Sequence, residues 1–137
     1  TEANTFILDR QRSALGALLD REVQILGHTD LALGSVKFSG NAQRRKRKFL
    51  LFHGAFLVQF DISLIEKALR MPSRQPDYRH NRSHSEFLTN LNLPPAVLKS
   101  ALQKVWSAKT PLQNIPGEKI RELTRQKYAT NEWNLKF

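Results

Sequence analysis

Four groups of residues in this chain combine a reactive type with a suggestive setting. Lys37 lies between Val36 and Phe38, just before Ser39-Gly40-Asn41-Ala42. Alternation along a half-buried strand turns its side chain to the face opposite those two apolar neighbours, the face of Ser39. Small residues let a ligand come close to the backbone, so Lys37 reads either as a solvated lysine or as one that meets such a ligand. Asp30, ahead of Leu31, reads as a turn or cap residue. His53 interrupts an apolar run and is followed by Gly54. A histidine satisfied inside the core is one reading, and close approach of a ligand or another backbone at the glycine is the other. Arg79, Arg82 and His84 fall in a long polar stretch where anion recognition and plain solvation compete.

Other chemistries find no support in the pattern. The chain has no cysteine, which excludes a disulfide scaffold, a Cys-ligated metal and a thiol nucleophile within these residues. His28, His53, His80 and His84 lack zinc spacing. No G-x-x-x-x-G-K-[ST] or G-x-G-x-x-G is present, and no G-x-S-x-G supports a serine triad. The net charge is +10, and Arg44-Arg45-Lys46-Arg47-Lys48 alone carries five cations. Such a run is a solvated turn, a nucleic-acid or import patch, or a dock for another anion. A single-strand binder would interleave aromatics with the cations, whereas Phe49 and Phe52 begin an apolar run.

These groups need elements to hold them. The 137 residues suit one domain, and 40% hydrophobic with 25% charged residues is a globular balance. No apolar run approaches the roughly 20 residues of a membrane span, and the start at Thr1 resembles no secretory leader. The expectation is a soluble, cytoplasmic protein; the absence of an initial Met suggests that sequence upstream of Thr1 has been removed. A helix is expected from Asn4 or Thr5 through Asp20, with Leu8, Leu15, Leu18 and Leu19 on one stripe. Short strands are expected at 23–25, 31–33 and 36–39, with Gly40-Asn41 turning into the basic run. Residues 49–60 are apolar on both alternating faces and predict a strand covered on both sides. A short helix from Asp61 or Ser63 to Leu69, a polar loop over 71–91, a helix from Leu93-Pro94-Pro95 to about Trp106, a linker at 108–116, a helix over 117–127 and a tail to Phe137 complete the reading. The implied fold is α+β, a mixed or antiparallel β-sheet packed by helices. Its sheet has too few strands to cover residues 49–60.

Lys37-Phe38-Ser39-Gly40-Asn41-Ala42-Gln43, followed by Phe52-His53-Gly54, resembles the K-[ILVF]-S-G-[SN]-A-[QY] and H-H-G-[TS] motifs of the lipoate–protein ligase family, within the biotin/lipoyl ligase superfamily. Asp30-Leu31, Asn90-Leu91, Tyr128 and Trp133-Asn134 extend the likeness over nearly the whole chain. The resemblance implies ATP-dependent activation of lipoate or octanoate to an acyl-adenylate, then transfer to a lysine of an acceptor lipoyl domain, with ATP, Mg2+ and lipoate required. It implies that Lys37 contacts the acyl-adenylate and that Asp30 helps to place adenylate or metal. Ser39, Gly40 and Ala42 would line the nucleotide pocket, and His53 and Gly54 would lie beside the acyl chain. The physics is compatible, because a fixed ammonium stabilises charge building at phosphorus without reorganisation. Arg44, Arg45 and Arg47 would dock an acidic acceptor domain. No nucleic acid, membrane or resident metal centre is expected.

Three departures from the family pattern stand out. Phe52 replaces the first histidine of H-H-G, and Ala55 replaces the hydroxyl residue that follows it. The R-R-x-[ST]-G-G-G-x-V-x-H segment does not occur, so the chain resembles the C-terminal half of a catalytic domain whose first half comes from upstream sequence or a second chain. Cysteine-dependent octanoyl transfer, ATP-independent transfer from an acyl carrier, a non-catalytic acyl-binding relative and a basic nucleic-acid module are the alternatives.

Overall fold

The computed structural model describes residues 2–136; the end of the expected tail, Phe137, lies outside them. Helix α1 (Glu2–Leu19) is followed by strands β1 (Gln24–Leu26), β2 (Asp30–Leu33), β3 (Val36–Arg45) and β4 (Leu50–Phe56). The strands form an antiparallel meander in the order β1-β2-β3-β4. Gly34, at φ 58°, opens the two-residue β2–β3 turn with the positive φ that such hairpins need at this position. Helices α2 (Ile62–Ala68) and α3 (His84–Phe87) flank a 3-10 turn at Asp77–Arg79, and α4 (Pro95–Val105) follows. Asp61 caps α2 through Ser63 N, and a capping box of Ser83 and Glu86 starts α3. The core joins Leu8 and Leu15 of α1, Leu31 and Leu33 of β2, Phe38 of β3, Leu91 and Leu98. The architecture is thus α+β, as the sequence implies.

Four details differ from the sequence reading. Gly40-Asn41 is not a turn, because β3 continues through Arg45 and pairs with β4 along its length. The strand expected over 49–60 is shorter and is the edge of the sheet, with Leu50 41%, Leu51 59% and the adjoining Phe49 78% exposed. Phe52, Phe56 and Val58 of that run lean on the core; no strand among the described residues pairs with the outer edge of β4. Third, Lys37 and Ser39 do not share a face. Leu31 pairs with Ser39 and Ala32 with Lys37, so Phe38 is the extra residue of a β-bulge and the alternation resets there. Gly40 takes the place beside Lys37 instead, since a Cβ there would stand 3.1 Å from Lys37 Nζ. Last, the helix expected over 117–127 ends at Leu123 as α5 (Gly117–Leu123), continues as a π-helical turn through Tyr128, and is followed by α6 (Asn131–Asn134). These C-terminal elements pack mainly on one another.

The long polar segment is tied down at several points. Thr89 N donates to Lys37 O at 2.9 Å, and Lys37 bridges Leu88 in parallel. Leu91 N and Asn92 N donate to Leu57 O and Val58 O. The Asn90 side chain clasps the Phe60 backbone, giving to its carbonyl at 2.8 Å and accepting from its N–H at 2.9 Å. Segment 88–92 therefore acts as a partner for the chain beyond β4, which fixes the loop beside Lys37.

Candidate functional site

Bulge and loop together place Lys37 at the middle of an open trough on one face of the sheet. Beyond the bulge, Gly40 and Ala42 of β3 lie opposite Ala55 and His53 of β4 and form its floor. The side chains of Gly40, Ala42 and Ala55, of one carbon or none, leave room there for a ligand. One end, about 400 Å³, is lined by Asp30, Lys37, Gly40, Asn41, Ala42, His53, Gly54 and Ala55. The other, about 320 Å³, runs from Lys37, Gly40 and Ala55 beneath Leu57, Ile65, Leu69, Arg79, His84, Phe87 and Leu88. The first is the more open and includes Asp30, Asn41 and His53, whereas the second is walled mostly by aliphatic and aromatic side chains; both present mostly apolar surface, and Lys37 belongs to both.

The Lys37 ammonium is held by Asp30, with Nζ to Oδ1 at 2.8 Å. Their side chains are 25% and 14% exposed, so the pair is largely shielded from water. Asp30 is the first residue of β2 rather than a turn or cap residue. Its second oxygen, Oδ2, accepts from the Tyr78 hydroxyl at 2.8 Å. Burial, reinforced by this bond to a carboxylate, pushes the Tyr78 hydroxyl well above the usual tyrosine range. Tyr78 thus stays a donor, and both Asp30 oxygens are engaged. Among the described residues Asp30 is the side-chain partner of Lys37, which leaves ammonium protons for a ligand.

Of the other residues singled out in the sequence, Ser39 is buried and accepts from Asn41 Nδ2 at 3.2 Å. It borders the end of the trough beneath Leu57 and Phe87 rather than the open end. Gly54 faces Asn41, and a Cβ there would overlap Asn41 Oδ1; its glycine lets the Asn41 side chain lie across β4. Asn41 Nδ2 also reaches Thr29 O at 2.7 Å, and Thr29 Oγ1 returns to Asn41 O at 2.6 Å, stitching the β1–β2 turn to β3. His53 is exposed on the open face and is not a core histidine. Arg44, Arg45 and Arg47 stand exposed at the β3–β4 hairpin, away from Lys37.

Arg79 and His84 are buried, which plain solvation does not explain. Arg79 donates to Arg82 O at 2.9 Å, approaches His84 Nδ1 at 3.3 Å and lies over the Phe87 ring at 4.7 Å. Arg82 donates to Ser35 O and Tyr78 O, each at 2.8 Å, and so ties the loop to the β2–β3 turn. Tyr78 was not a sequence candidate, because no local spacing links residue 78 to residue 30. Its one signal is a tyrosine beside arginines in a long polar segment. Among the described residues no three metal-binding side chains cluster.

A meander sheet backed by helices is an architecture that other proteins share. Residues 11–104 match the lipoyl protein ligase A/B catalytic domain, and the chain belongs to that family. It is 28% identical over 120 residues to octanoyltransferase LipM of Brevibacillus brevis, covering 78% of this chain and 44% of that protein. Lipoate-protein ligase A bound with ATP superposes with a TM-score of 0.72 at 21% identity, over 95% of this chain and 58% of that one. A bi-partite lipoate protein ligase from Thermoplasma acidophilum, described with its E2 lipoyl domain, gives 0.71 at 20% identity over 95% and 57%. At those identities the structures fix the fold. The chain spans about half the length of the proteins it matches.

Proposed function

We propose that this chain is the lysine-bearing half of an ATP-dependent lipoate–protein ligase site, which activates lipoate or octanoate and passes the acyl group to a lysine of a lipoyl domain. The observation that carries this reading is the shielded Lys37 ammonium shared by two adjoining cavities, above a floor of Gly40, Ala42 and Ala55. In the first step a carboxylate oxygen of the acid bonds to the α-phosphorus of ATP and the bond to pyrophosphate breaks. Lys37 donates to the phosphoryl oxygens as charge gathers on them. In the second step the acceptor amine attacks the acyl carbonyl, the bond to AMP breaks and the amine loses a proton, with Lys37 polarising that carbonyl. His53 and Ala42 border the open end where the adenylate would lie. Asp30 is engaged by Lys37 and Tyr78, and a Mg2+ ion would arrive on the phosphates of ATP.

The remainder of the site would come from upstream sequence or a partner chain lying over β4, whose apolar Leu50 and Leu51 face water. The two-part ligase from Thermoplasma acidophilum is a precedent for division between chains. Similarity to an octanoyltransferase favours a second reading, transfer from a carrier without ATP; these 137 residues supply no thiol for a covalent acyl intermediate. Both readings are tested in the complete protein by following acylation of a lipoyl domain. Lys37→Ala should lower the rate by about 10²-fold or more with its melting temperature nearly unchanged, and Lys37→Arg should fail too, since a planar fork does not replace a point charge. Dependence on ATP selects the ligase. Full turnover in Lys37→Ala would exclude both.

A further inference from the structure

We propose that Tyr78 is a positioning residue that holds Lys37 in place through Asp30, so that the loop bearing Tyr78 must be docked for the lysine to be aimed. The proposal rests on the reading of Lys37 given above. Three observations carry it. Asp30 bonds Lys37 Nζ through Oδ1 and the Tyr78 hydroxyl through Oδ2, both at 2.8 Å, so the plane of the carboxylate is fixed at both ends. With one donor removed, a carboxylate can rotate or take the ammonium on both oxygens, and either outcome moves Nζ away from Gly40.

The hydroxyl is also not needed to anchor the loop. The Tyr78 ring packs on Phe87 at 5.1 Å between centroids, Arg82 ties the Tyr78 carbonyl to Ser35, and Thr89 and Asn90 pin the following segment. The third observation is contact at the turn leading into β2. A Cβ on Gly27, at φ +56°, would meet Tyr78 Cε1 at 3.5 Å and Asp30 Oδ2 at 3.9 Å, ordinary contact distances, so this turn lies beside both ends of the Tyr78–Asp30 bond.

The test compares Tyr78→Phe, Asp30→Asn and the double variant in the complete protein. One readout is independent of activity: the rate at which an amine-reactive acylating reagent labels Lys37, mapped by mass spectrometry against Lys67 and Lys99. Tyr78→Phe keeps the ring on Phe87, so the melting temperature should hold, while Lys37 labelling changes by about threefold or more as its partner loosens. The rate constant for acyl transfer should fall about tenfold, as expected for loss of a hydrogen bond to a charged group, at near-constant KM for the lipoyl domain. Adding Tyr78→Phe to Asp30→Asn should do nothing further, because the effect passes through that carboxylate. Unchanged labelling and rate in Tyr78→Phe, with Lys37→Ala inactive, would overturn the positioning role and leave the functional reading standing. Altered labelling in Tyr78→Phe, with Lys37→Ala fully active, would uphold the positioning and discard the functional reading.

Discussion

The two halves of strand β3 stand in different surroundings. From Val36 to Ser39 the strand pairs with β2 on one side and meets Leu88 and Thr89 as well, and Phe38 and Ser39 are buried. From Gly40 to Arg45 its described strand partner is β4 alone, and the two form a ribbon that ends in exposed Phe49, Leu50 and Leu51. Lys37 belongs to the covered half, and its floor to the start of the uncovered one. A two-stranded ribbon is marginal by itself, and apolar residues on a bare edge invite pairing. Within this chain the lysine is held by Asp30 next to the core, whereas the ribbon leaves an unpaired edge and apolar side chains exposed.

The largest effect that would sharpen this comparison is on stability. Phe38→Ala, in the covered half, should cost about 3–5 kcal/mol, read from chemical denaturation. Leu51→Ala, at 59% exposure within this chain, should weaken the complete protein by about 2 kcal/mol or more, because the ribbon is covered there. A loss of no more than about 0.5 kcal/mol in the complete protein would break the contrast. A smaller effect is expected at the hairpin. Replacing Arg44, Arg45 and Arg47 with Ser should raise the KM for an acidic lipoyl domain severalfold, more at low salt than at high, with adenylate formation intact. A salt-dependent loss of duplex binding instead would assign the run to nucleic acid.

Much of the covered half was legible in the sequence. The leucine stripe of α1 and the alternation around Lys37 are local signals, and the family motif marks Lys37 through Gln43 directly. What escaped depends on partners distant in the chain. The bulge at Phe38 arises from pairing with β2, so alternation within β3 misassigned Ser39 to the lysine face. Tyr78 meets Asp30 across 48 positions. The strand over 49–60 reads as doubly covered because its composition answers to cover, and within this chain that cover is partial. Gly54 reads as close approach of a ligand or of another backbone, and it lines the cavity with the Asn41 side chain lying against it.

The central claim is that Lys37 stands ready in this chain while the rest of its site lies elsewhere. Reconstitution tests it most directly: lipoate, ATP and a lipoyl domain are supplied to the 137-residue chain alone and then with the upstream half added. The account predicts an aggregation-prone, inactive chain alone, and acylated lipoyl domain once the second half is present, with that gain lost in Lys37→Ala. Cooperative folding and full ATP-dependent acylation by the 137 residues alone would contradict it.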